Sequence, residues 1–271
     1  MTETAAASPT SLDGRRVLVT GSAQGLGEAI AARIVDLGGQ VLVADVLVDA
    51  GTATADRLGP AATFAELDVT SAEGWERVVR VADDAFGGLD GLVNNAAILH
   101  MGVLEEMEPD RVSRLIDVNL VGPLLGTRAV TPVLRNAGGG SIVNISSIGG
   151  LEGMNSTVAY CSSKWGVRGL TKASAIELGR DRIRVNAVCP GMGNPEMFTP
   201  FMKDFDLDLY LDKAPQVPYQ ERGRPRNVDM YDVAEMVVWL LSDAARGCSG
   251  GDFAVDAAWT AGTYAPGLPG F

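Results

Sequence analysis

Tyr160 and Lys164 stand four residues apart in a stretch with helical spacing, so they share one helix face. Ser147 lies thirteen residues upstream, at the end of an apolar run, and Asn119 sits within Asp117-Val118-Asn119. A phenol, an amine and a hydroxyl suit proton transfer at an alcohol oxygen. A free phenol ionises near ~10, and lowering that by ~3 units takes ~4 kcal/mol. One cation at ~4 Å supplies about that much in an effective dielectric of ~20. Lys164 is expected to be the cation that tunes Tyr160, and Ser147 to hold the substrate oxygen. By itself a Tyr-x3-Lys pair is ordinary helix surface, so its weight depends on what surrounds it.

Those residues need a scaffold, and the chain alternates short β-branched runs with longer helical patterns. Strands are expected at 17–20, 41–45, 64–68, 92–94, 141–146, 184–188 and 253–255. Helices are expected at 27–37, 71–86, 110–135, 157–179 and 229–242. Apolar strands separated by helices predict a parallel sheet covered on both faces, a doubly wound Rossmann-type α/β fold. No repeat or linker divides it, so residues 13–271 are expected as one domain after a disordered tail, 1–12. The stretch 190–228 breaks the rhythm with six prolines. An insertion at about 192–225 is expected to form a substrate lid.

The first strand-to-helix turn reads Gly21-Ser22-Ala23-Gln24-Gly25-Leu26-Gly27. Glycines there permit a tight turn and let backbone N–H groups approach a pyrophosphate at a helix N-terminus. Asp45 ends the second strand, where a carboxylate accepts hydrogen bonds from an adenosine ribose and repels a 2′-phosphate. NAD is therefore expected rather than NADP. Asp68-Val69 and Asn95-Ala96-Ala97 follow the next two strands, at the edge where such sheets bind ligands.

Composition narrows the alternatives. The 271 residues carry a net charge of −12, without the basic clusters that a nucleic-acid or anionic membrane surface needs. The cysteines, Cys161, Cys189 and Cys248, form no CxxC pair and read as reduced thiols of a cytoplasmic protein. No signal peptide or spanning segment is expected. His100 is the only histidine, so no metal site is expected.

Taken together, Thr20-Gly21-x3-Gly25-x-Gly27, Asn94-Asn95-Ala96, Asn119, Ser147, Tyr160-x3-Lys164 and Pro190-Gly191 resemble the short-chain dehydrogenase/reductase family over about residues 13–262. The resemblance implies a catalytic tetrad of Asn119, Ser147, Tyr160 and Lys164. In it, Asn119 holds a helix bulge and Lys164 also binds the nicotinamide ribose. It further implies cofactor contacts at Pro190, Gly191 and Gly193. Two departures stand out. Ala97 replaces the usual glycine of Asn-Ala-Gly, and Pro195 replaces a threonine that anchors the carboxamide, with Asn194 or Thr199 as substitutes. Ser163 to Leu170, Asp181 to Asn186 and Val255 to Trp259 look closest to bacterial hydroxysteroid dehydrogenases.

Phe198, Phe201, Met202, Phe205 and Leu209 are spaced as an amphipathic lid helix. With Ser147, Ile148, Gly149, Met154 and Met197, the first three are expected to line a pocket for a cyclic, steroid- or terpenoid-like secondary alcohol and its ketone. A 3-oxoacyl thioester reductase is the alternative within enzymes, and a catalytically silent nucleotide sensor the alternative outside them. The acids between 196 and 213 disfavour an acidic acyl carrier. Helices 110–135 and 157–179 resemble the family's homotetramer interface, with Leu115, Leu120, Leu124 and Leu125 as candidates.

Overall fold

A computed structural model describes residues 10–191, 197 and 228–262. Seven strands form one parallel sheet: β1 (Arg16–Thr20), β2 (Gln40–Asp45), β3 (Ala62–Glu66), β4 (Gly91–Asn94), β5 (Gly140–Ile145), β6 (Ile183–Pro190) and β7 (Asp252–Val255). Their order across the sheet is β3-β2-β1-β4-β5-β6-β7. The chain therefore reverses its direction of winding between β1 and β4. A doubly wound sheet opens its ligand crevice at that switch point, outside the strands' carboxyl ends.

Side chains alternate between two cores, as strand geometry requires. Val17, Val19, Val41 and Val43 pack with Ile30 and Ile34 of α1 (Gly25–Asp36) and with Val233, Val237 and Leu240 of α7 (Met230–Leu241). Leu18, Leu42 and Leu92 face the other way. They meet α3 (Ala72–Phe86), α5 (Gly122–Asn136) and α6 (Val158–Leu178). Trp75 is fully buried in that second layer, and its indole N–H donates to the Val69 carbonyl at 2.9 Å.

Two elements differ from the sequence expectation. Helix α2 (Val48–Leu58) fills a stretch where no helix was expected. Its buried face is Gly51, Thr54 and Ala55, with Gly51 packed on the Phe64 ring, so small residues and not an apolar stripe make the contact. The single helix expected over 110–135 is two helices, α4 (Pro109–Ile116) and α5, joined by a π-helical turn at Asp117–Val121.

The expected tail, 1–12, runs too far at its end. Leu12 is fully buried, and its N–H donates to the Leu37 carbonyl at 3.0 Å. Residues 1–9, most of the expected lid and the stretch from Thr263 lie outside the described residues. No helix among the described residues is long and apolar enough to cross a membrane.

Candidate functional site

A cleft of about 430 Å³ opens at the carboxyl ends of the strands. Its floor begins at the turn after β1, where Gly21 adopts φ +63° and Gly25 φ +60°. A Cβ on Gly21 would stand 2.7 Å from the Ala96 Cα, and one on Gly27 would collide with the Gly21 carbonyl. The Asn95 amide ties this turn to β4, donating at 2.9 Å to the carbonyls of both Thr20 and Gly21. Thr20 accepts in return from the N–H groups of Asn95 and Ala96. Helix α1 starts here with no side-chain cap on its first-turn N–H groups, and Gln24, Leu26 and Gly27 line the cleft. An uncapped N-terminus of this kind suits a phosphate group.

Asp45 is nearly buried at the tip of β2. Its two oxygens accept from the N–H groups of Ala23 (2.9 Å) and Leu47 (3.0 Å). A carboxylate has about four acceptor positions, so Asp45 keeps capacity for ribose hydroxyls. At the end of β3, burial pushes the Asp68 pKa up. The Thr70 N–H and hydroxyl and the Arg114 guanidinium outweigh it and hold the group below the usual carboxylate range. Asp68, Val69, Asn95, Ala96 and Ala97 all line the cleft. Ala97 is not among the residues with positive φ, so this backbone accepts alanine without strain.

Ser147, Tyr160 and Lys164 line the same cleft, together with Pro190 and Gly191. Ser147 extends β5 and opens a short 3-10 turn, accepting from the Gly149 N–H at 3.1 Å. Helix α6 carries Tyr160 and Lys164 on one face, with Nζ 5.6 Å from the phenol ring centroid. The Lys164 ammonium is buried and donates to the Ile145 carbonyl at 2.9 Å, leaving further donors for a ligand. Burial pushes its pKa down to about 8, partly offset by Cys189.

Tyr160 is part of the same lining. Burial pushes the phenol up to about 12, opposed by a hydrogen bond with Ser147.

Asn119 lies in the π-helical turn and is 1% exposed, so it does not reach the cleft. Its amide brackets Ile98, accepting from the N–H at 2.8 Å and donating to the carbonyl at 2.9 Å. It also donates to the Ser163 hydroxyl at 3.2 Å, and that hydroxyl donates to the Tyr160 carbonyl at 2.7 Å. The bulge therefore fixes both the loop after β4 and the first turns of α6.

Three more expected residues stand back from the cleft. Ser22 is fully buried, donating to the Val19 carbonyl and accepting from the Ala44 N–H. Gly25 forms the first residue of α1, and Gly149 packs against Cys161. Ile148, Met154 and Met197 do line the cleft, whereas Gly193, Phe198, Phe201 and Met202 lie outside the described residues. The site also recruits residues the sequence did not single out: Val46, Leu47, Ile98, Leu99, Arg114 and Val233. Ile98 and Leu99 had a signal, since they directly follow the β4 carboxyl end.

The family model for short chain dehydrogenases matches residues 15–205. Over 251 residues the chain is 39% identical to a 3-alpha-(or 20-beta)-hydroxysteroid dehydrogenase of Mycobacterium bovis, covering 93% of this chain and 91% of the relative. It is 37% identical to a trans-4-hydroxycyclohexanecarboxylate dehydrogenase of Sinomonas cyclohexanicum, covering 90% and 92%. A solved chain from Sinorhizobium meliloti 1021, assigned to the short-chain alcohol dehydrogenases, superposes with a TM-score of 0.84 at 31% identity, covering 94% of this chain and 99% of that one. The chain belongs to the short-chain dehydrogenase family, and its fold and class of chemistry are those of an oxidoreductase.

Proposed function

We propose that this protein is an NAD-dependent oxidoreductase that interconverts a cyclic, apolar, steroid- or terpenoid-like secondary alcohol and its ketone. The observation that carries this reading is the convergence of Ser147, Tyr160 and Lys164 on the cleft that also holds Asp45. The cradle fits a dinucleotide. Gly21 and Gly27 leave no room for a Cβ, α1 begins uncapped, and Asp45 and Lys164 both retain hydrogen-bonding capacity. Relatives named for a hydroxysteroid and a hydroxycyclohexane carboxylate support a ring alcohol as substrate.

Gly21, Gln24, Leu26 and Gly27 would hold the pyrophosphate, Asp45 the adenosine ribose, and Lys164 the nicotinamide ribose. When bound, the nicotinamide accepts or returns the hydride. Ser147 orients the substrate oxygen, and Tyr160 takes the hydroxyl proton during oxidation or gives it back during reduction. Asn119 acts through others, holding Ile98 and Ser163 so that the Tyr160 turn keeps its place. Ile148, Met154 and Met197 offer apolar walls to the ring.

We further infer a single domain over 13–271 with a lid at about 192–225, a cytoplasmic location and a homotetramer. Of the expected interface leucines, Leu115 is fully buried inside the chain and cannot serve. Leu124 on α5 (47% exposed), with Val121 in the π-helical turn and Trp165 and Ile176 on α6, presents the apolar surface such an interface needs.

The test is NADH formation with a panel of cyclic alcohols and steroids, run beside Tyr160→Phe. The native chain is expected to turn over ring alcohols and the variant to lose that activity. An enzyme that binds NAD yet oxidises no alcohol overturns the reading, and a preference for NADPH with carrier-bound thioesters replaces it with 3-oxoacyl reduction.

A further inference from the structure

A second cavity, of about 230 Å³, lies at the amino ends of β4, β5 and β6, across the sheet from the cleft. Three arginines line it: Arg15, Arg182 and Arg184. Their charges are unequally compensated. Arg15 pairs with Asp243 at 2.5 Å. The Asp90 carboxylate in the wall is paired with Arg16, whose Nε and Nη2 donate to its two oxygens at 2.7 and 2.9 Å. Arg182 is exposed and enters no ion pair among the described residues. Arg184 donates from Nη2 to the Ser242 carbonyl at 3.1 Å, while its buried Nη1 has no partner among the described residues. Burial depresses the Arg184 pKa, and Arg15 depresses it further against the pull of Asp243 and Cys248.

Two neighbouring guanidinium groups, one of them without an ion pair among the described residues, leave a local excess of positive charge in a polar hole. A tetrahedral oxyanion resolves it, because its oxygens match the planar donor fork and its charge offsets both cations. The backbone supports the shape of the hole. Gly138 (φ +87°), Gly139 (φ +139°) and Arg182 (φ +59°) adopt the left-handed region and curve the chain around its rim.

We propose that this cavity is an oxyanion-binding site that takes a phosphate-class dianion, free or as the end of a phosphomonoester, between Arg182 and Arg184. Nothing in this inference depends on the substrate of the cleft. The two sites stand at opposite ends of β5 and β6, so a ligand here stabilises the folded chain without competing with cofactor.

Thermal unfolding of the full chain tests this, in sodium phosphate and in sodium chloride at matched ionic strength, with glycerol 3-phosphate as a further arm. The expected result is a saturable rise in Tm, about 3 °C when phosphate stands roughly ten-fold above its Kd, with no rise in chloride. Arg182→Asn tolerates the left-handed backbone and is expected to abolish the rise; Arg184→Met is expected to do the same if it folds. An equal response to glycerol 3-phosphate assigns a phosphomonoester, and a response to phosphate alone assigns the free ion. A rise that persists in Arg182→Asn, that fails to saturate, or that comes with a matching increase in the KM for cofactor places the anion elsewhere and overturns the proposal.

Discussion

The Lys164 ammonium lies 5.6 Å from the centroid of the Tyr160 ring and donates instead to the carbonyl of Ile145. With the phenol pushed up to about 12, Tyr160 rests as an acid through neutral pH. Ketone reduction draws on that form and is expected to stay flat between about pH 6 and 8, while alcohol oxidation climbs with pH. Tyr160→Phe is expected to cut kcat by about 10²–10⁴ in both directions while NADH titration shows unchanged affinity. Steady-state pH profiles in the two directions check this, and an oxidation rate independent of pH contradicts it.

Lys164 gives a stability prediction with a definite sign. Its pKa is about 8 in the folded chain against an ordinary 10.5. Below both values each state carries the proton, and the folded state bears the cost of a buried charge. Between them the unfolded chain binds more protons, so this group makes stability rise with pH across about 8 to 10.5. Lys164→Met is expected to flatten that limb in melts recorded from about pH 7.5 to 10. Parallel Tm–pH curves for parent and variant would rule it out.

Asn119→Ala removes both side-chain partners of the part-buried Ile98 N–H and carbonyl, at about 1 kcal/mol for each hydrogen bond. It also releases Ser163 from behind Tyr160. The expected outcome is a lower Tm and a kcat reduced by about ten-fold, with substrate KM little changed, because the proton-transfer geometry loosens while the pocket walls stay. A fall confined to KM would assign Asn119 to substrate binding instead.

Asp45→Asn keeps an acceptor for Ala23 or Leu47 and removes the charge. The ratio of kcat/KM for NAD over NADP is expected to fall by at least about ten-fold, which corresponds to roughly 1.4 kcal/mol of relieved repulsion. An unchanged ratio would show that the carboxylate does not select the cofactor.

Gly27→Ala improves intrinsic helix propensity by about 1 kcal/mol. It also sets a methyl against the Gly21 carbonyl and 2.6 Å from the Asn95 amide. The collision is expected to dominate, weakening NADH binding by ten-fold or more in fluorescence titration. Native affinity in the variant would remove this turn from the binding site.

The strands were legible because burial on both faces demands unbroken apolar runs such as Val41-Leu42-Val43-Ala44. So was the placement of Asp45, Ser147 and Tyr160, since each is a strand end or a helix position four residues from its partner. Helix α2 was not, because Gly51, Thr54 and Ala55 bury through close backbone approach and leave no periodic stripe. Ser22 misled for a related reason. Its place in the turn suggested a ligand contact, but its hydroxyl is consumed joining β1 to β2.

The π-helical turn at Asp117–Val121 has a bearing on which changes of length the gene can accept. Such a turn is one residue longer than the α-helical path it replaces. A one-codon deletion there would let α4 and α5 run together as one regular rod, with better backbone hydrogen bonding than the native chain has. It would also swing everything before the deletion by about 100° relative to everything after it. Asn119 would leave Ile98. Most helices lose a residue at the cost of local fraying. This one would gain regularity and lose its purpose, so an in-frame deletion between 117 and 121 is expected to yield folded but inactive protein more readily than one in α3.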